Sequence, residues 1–208
     1  MTTATQIILT DEQIKAIDDG QLVTIPATWE EFMDFLPTTH YKTEYARHHI
    51  IIMGLAILLH EWLVSRVCWI LINMYQKQPN VLVLSSNLGV SRPEKSYFNP
   101  DVTVVKESPE FYRSSKAIIK NPFMVVEVLS DSTANYDWKV KLMRYQNMES
   151  MQQIVFIDPD DVCVTVSSRS TEPNVWTMIT YYNPTDMVTI DGHTFPLSHF
   201  FEGMPTFQ

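Results

Sequence analysis

The chain has 208 residues, enough for one domain with a substantial core. Hydrophobic residues make up 45% and charged residues 19%, a composition that excludes a disordered chain. The net charge of -9 argues against a general nucleic-acid binder, whose footprint is a basic face.

Residues 1–27 read as an appendage to a single domain spanning 28–208. The first six residues lack a basic stretch, so no signal peptide is expected. Thr10 followed three residues on by Gln13 predicts a capping box and a short helix ending near Gly20. Thr28 and Glu31 predict a second box, on a helix stopped by Pro37. Residues 41–53 read as extended. Residues 54–76 read as the longest helix, with Leu55, Leu58, Leu59, Trp62, Val67, Trp69 and Leu71 spreading apolar surface around it, so it is expected to be well buried. Its apolar run, residues 50–59, is too short to span a bilayer. Cys68 and Cys163 are too few for a disulfide scaffold or a structural zinc site, and a reduced, cytoplasmic protein is the expectation.

Residues 81–84 predict a short strand. Two strands carrying acidic residues follow, Asp101 opening the first and Glu127 lying inside the second. The insert between them, residues 107–122, reads as mobile. Then come a helix over 134–148, a strand over 153–157 and a meander over 162–166, 175–182 and 186–190. This order predicts an α/β fold, a mixed sheet flanked by helices with an outer β-meander.

Period-2 alternation sets Glu127 on the same face as Val125 and Leu129. A carboxylate on an apolar face is costly unless a cation or a proton compensates it. Two carboxylates on neighbouring strands therefore suggest a site for a hard divalent cation. On the helix that follows, Lys141 lies about 60° from Trp138, on the flank of the core-facing stripe. Lys139 lies about 100° away on the other side and is the weaker candidate.

Pro100-Asp101, Glu127-Val128-Leu129-Ser130, Thr133, Asp137, Lys141 and Tyr145 together resemble the Uma2 (DUF820) family. So do the aspartate-ended strand 153–158, Glu44-Tyr45 and His60-Glu61. That family is placed among the restriction-endonuclease-like PD-(D/E)XK nucleases. The resemblance implies Mg2+ or Mn2+ held by Asp101, Glu127 and the Val128 carbonyl, with Glu44 completing the shell. It also implies Lys141 as the catalytic lysine, because Leu129 stands where the standard motif has its lysine.

Two further points come from the resemblance. The family's tight glycine-containing turn after Glu44 is replaced by Ala46-Arg47-His48-His49. His60 matches a family position, though a helix histidine satisfied by a neighbour is the blander account. The function implied is a metal-dependent nuclease acting on nucleic acid, DNA before RNA, with no membrane role and with homodimerisation compatible. Ser130 to Thr133 would offer phosphate contacts. The alternative is an inactive fold used for binding or assembly, which the acidic charge and Leu129 favour.

Overall fold

A computed structural model of the chain describes residues 7–85, 87–92, 95–130 and 133–205. Both capping boxes form. Gln13 N–H donates to Thr10 Oγ1 at 3.2 Å and Thr10 N–H to Gln13 Oε1 at 2.9 Å, opening α1 (Asp11–Asp18). After β1 (Val23–Pro26), Thr28 and Glu31 repeat the arrangement at α2 (Trp29–Phe35). Strands β2 (Lys42–Ala46) and β3 (His49–Met53) then pair as a hairpin. Its two turn residues, Arg47 and His48, take φ of 52° and 60°. A two-residue turn needs that left-handed geometry to match the strand twist, and here non-glycine side chains bear it.

Helix α3 (Leu58–Tyr75) starts later than the sequence suggests. It buries Leu63, Val67 and Leu71, but Leu55, Leu58 and Trp69 are exposed. The reason is geometric: the helix lies on one face of a sheet, so only one stripe of its apolar circumference is covered. The chain continues through β4 (Leu82–Ser85), β5 (Gly89–Arg92), β6 (Ser96–Phe98) and β7 (Val102–Val105). The insert that follows is folded. It holds β8 (Ile118–Ile119), parallel to β5, and Tyr112, whose hydroxyl receives the Trp29 indole N–H at 3.2 Å.

Strand β9 (Met124–Val128) leads into the helix α4. This helix runs through Ala134–Tyr136, a π-turn at Asp137–Lys141, and Leu142–Gln146. Strands β10 (Gln153–Asp158), β11 (Cys163–Arg169) and β12 (Trp176–Tyr181) follow. The last expected meander strand, β13 (Met187–Ile190), instead pairs with β14 (His193–Pro196) as a separate hairpin, ahead of the short α5 (Ser198–Phe201).

Two six-stranded mixed sheets result, ordered β1-β3-β2-β6-β5-β8 and β12-β11-β10-β9-β7-β4. The described part of the expected appendage, residues 7–27, is joined to the first sheet by β1, which pairs with β3 from Val23↔Ile52 to Pro26↔His49. Ile17 of α1 is buried with them. In the second sheet, α3 covers one face through Val102, Val104, Val126 and Val128. The other face packs against α4 and the first sheet through Val125, Leu129 and Phe156 with Ile51 and Phe98. The seam between the sheets is where the acidic residues converge. Among the described residues, no helix is long and apolar enough to cross a membrane.

Candidate active site

Five elements deliver polar side chains to the seam. Strand β2 alternates, so Lys42 and Glu44 share a face and both point at the second sheet. Glu44 is fully buried. Its Oε1 accepts the Asn99 N–H at 3.0 Å and lies 3.1 Å from Lys141 Nζ. Asp101, just ahead of β7, is held by three groups. Lys42 Nζ is 2.8 Å from Oδ1, while the Val128 N–H at 2.8 Å and His60 Nε2 at 3.1 Å meet Oδ2. Glu127 Oε1 accepts the Tyr145 hydroxyl at 2.6 Å and Lys141 Nζ at 3.2 Å. Asp137 Oδ1 lies 3.0 Å from the same ammonium.

Lys141 therefore sits among three carboxylates. It lies in a π-turn, where the Leu142 N–H reaches back to Asp137 O, five residues instead of four, and Asp137, Lys141 and Tyr145 form the buried side of the helix. Lys139 stays exposed. Leu129, at the usual lysine position, is packed into the apolar cluster between the sheets. The cation thus reaches Glu127 from the helix rather than from the strand.

The electrostatics divide the two strand carboxylates. Burial opposes the charge on Asp101, but Lys42 and His60 outweigh it and hold the acid well below the usual range. Burial pushes Glu127 up to about 8, because Lys141 offsets it only in part and Asp101 repels. Glu44 is raised for the same first reason, with Lys141 and Lys42 opposing. Burial works against the charge on Lys141, yet Asp137, Glu127 and Glu44 drive its pKa well upward, so it stays an ammonium. His60 is likewise desolvated, but its contact with Asp101 raises it overall.

Asp101, Glu127, Glu44 and Lys141 are all brought together, and Val128 joins them through its N–H to Asp101. His60 meets a neighbour through Nε2, and that neighbour is Asp101, while its buried Nδ1 has no hydrogen-bond partner among the described residues. Ser130 Oγ and Thr133 Oγ1 lie 3.0 Å apart at the pocket wall; Ser132 lies outside the described residues. Sequence reasoning missed Lys42. Its signal was the two-residue spacing from Glu44, which puts both on one face of a strand.

Among the described residues, no three His, Cys, Asp or Glu side chains are already arranged as a metal shell. Each carboxylate is instead turned onto an ammonium, imidazole or hydroxyl. The donor set nonetheless suits a hard divalent ion. Four buried carboxylates face two ammonium groups and one imidazole, and Glu44 Oε2 is buried with no hydrogen-bond partner among the described residues.

A crystal structure of a "putative nuclease belonging to DUF820" from Anabaena variabilis matches with a TM-score of 0.70 and 18% identity, over 85% of this chain and 98% of that one. The fold is thus the restriction-endonuclease-like α/β fold. An uncharacterised protein of Synechocystis sp. is 31% identical over 118 residues, 56% of this chain and 66% of that protein. The chain thus spans just under two thirds of the length of that curated relative. The sequence model of the Uma2 family, described as "putative restriction endonuclease", matches residues 29–197. The chain belongs to the Uma2 family.

Proposed function

We propose that the chain is a divalent-metal-dependent nuclease that hydrolyses phosphodiester bonds, DNA before RNA. The observation that carries this reading is the placement of one buried lysine, Lys141, within 3.0 to 3.2 Å of Asp137, Glu44 and Glu127, beside a fourth buried carboxylate, Asp101. Such a cluster costs folding free energy and is retained where charge chemistry needs it.

Asp101 and Glu127 would hold Mg2+ or Mn2+, with Glu44 as a third oxygen donor. The ion supplies Lewis acidity toward the phosphate and lowers the pKa of a bound water. Lys141 is too basic to accept a proton near neutral pH, so its part is to donate hydrogen bonds to charge developing on the phosphate oxygens. Tyr145 is a positioning residue. Its hydroxyl fixes the Glu127 carboxylate at 2.6 Å. His60 and the Val128 N–H do the same for Asp101.

The test is calorimetry of Mg2+ and Mn2+ on the wild type and on Asp101→Ala/Glu127→Ala, followed by cleavage assays. Binding that vanishes in the double variant, with metal-dependent cleavage by the wild type, supports the reading. Equal binding in both proteins, or no binding in either, removes it.

A further inference from the structure

Asp101, Glu127 and Asp137 line a cavity of about 360 Å³. Three observations define it. First, burial: Asp101, Glu127 and Lys141 are each no more than 2% exposed, so a phosphate must enter the pocket to meet them.

Second, charge. The described basic groups of the lining are Lys42, His60 and Lys141, and each is already turned onto a carboxylate. Asp19 and Asp160 add negative charge to the wall. Among the described residues the lining therefore offers no spare cation along which a phosphate backbone, paired or unpaired, could run, so a ligand is held at one phosphate and one base.

Third, the rim is apolar. Leu22, Leu55 and Ile57 line it, with Leu55 91% and Ile57 63% exposed, while Met53 in the same lining is buried. Leucine and isoleucine at such a rim suit the faces of unstacked bases. One wall comes from the segment between α1 and β1, ahead of the residues that the family sequence model matches. That segment sits tightly on the loop carrying Leu55. A Cβ on Gly54 would lie 2.4 Å from the Ile17 carbonyl oxygen and 2.8 Å from Gly20 Cα, so only glycine allows the approach.

We propose that this pocket admits an unpaired nucleic-acid strand, with a base against the Leu22–Leu55–Ile57 rim and its phosphate at the carboxylates, and that the segment between α1 and β1 excludes duplex. The inference rests on the nuclease reading for the chemistry and goes beyond it in naming the substrate class. Because a paired base must first be opened, the unpaired strand gains at least about tenfold over duplex.

The experiment measures fluorescence anisotropy of the full chain with labelled single-stranded DNA, the RNA strand of the same sequence and the DNA duplex, in Mg2+ and in Mn2+. The same probes are then assayed for cleavage. Tighter binding of either single strand by about tenfold or more is expected. Leu55→Asp, at an exposed position where folding is not at stake, lowers it by about tenfold, and Leu55→Phe preserves it. Duplex binding as tight as single strand, no binding of any probe, or indifference to Leu55→Asp overturns the proposal. Single-strand binding without cleavage in either metal leaves the pocket assignment standing and overturns the nuclease reading alone.

Discussion

On one side of β9, Val126 and Val128 belong to an apolar cluster with Leu63, Val67 and Leu71 of α3. On the other side, one residue along, Val125 and Leu129 bracket Glu127 and the strand faces a cluster of charges. The backbone is the same and both faces are buried. The first face contributes stability through area removed from water. The second holds charges that are tolerated only because each has a partner of opposite sign or a hydrogen bond. The two strand carboxylates repeat the contrast on a smaller scale. Asp101 has Lys42, His60 and a backbone N–H to itself and is held ionised, whereas Glu127 shares Lys141 with Glu44 and Asp137 and is pushed toward the neutral acid.

The sharpest way to break the charged face is Lys141→Met. It leaves three buried carboxylates without their cation, and a stability loss of about 3–5 kcal/mol is expected in urea unfolding at pH 7. A loss below about 1 kcal/mol would mean that the ammonium does not organise the cluster. Leu63→Ala does the corresponding damage on the apolar face, at about 2–4 kcal/mol through lost burial and a residual cavity. It should leave divalent-ion affinity unchanged. A matching drop in affinity would show the two faces to be coupled, against the separation drawn above.

The most gradual effect is the pH dependence of Glu127. Its pKa rises on folding from 4.5 to about 8, so the folded metal-free protein holds a proton that the unfolded chain has released. That contribution to stability is complete below the unfolded value and is lost as pH rises toward 8, with a slope no steeper than about 1.4 kcal/mol per pH unit. Glu127→Gln should remove this slope. Its stability gain over the wild type should therefore be near zero at low pH and largest at alkaline pH. Urea midpoints of the two proteins that run parallel across pH 5 to 9 would place the proton elsewhere.

Much of this was legible along the chain. The two capping boxes follow from Thr10–Gln13 and Thr28–Glu31, because a box needs only residues three apart. The face of Glu127 follows from strand period, which is local. Choosing Lys141 over Lys139 followed from helix angle and from the family spacing, while the π-turn that carries Lys141 is not revealed by period alone. The glycine-free hairpin after Glu44 was visible as a departure from the family, and the structure shows Arg47 and His48 supplying the positive φ.

Other features were fixed only when distant segments met. The burial of Glu44 is one of them, since the sheet that covers it is built from residues beyond 80. Lys42 and His60 become partners of Asp101 across 59 and 41 positions of sequence. The segment ahead of residue 28 looks detachable in sequence, yet β1 and Gly54 tie it to the pocket wall. By itself the sequence determined the capping boxes, the strand face of Glu127 and the family, because caps, periods and motifs act over a few residues. The tertiary structure alone decided which cation each carboxylate faces and how deep the site lies, because ion pairing and burial depend on what the rest of the chain places within a few ångströms.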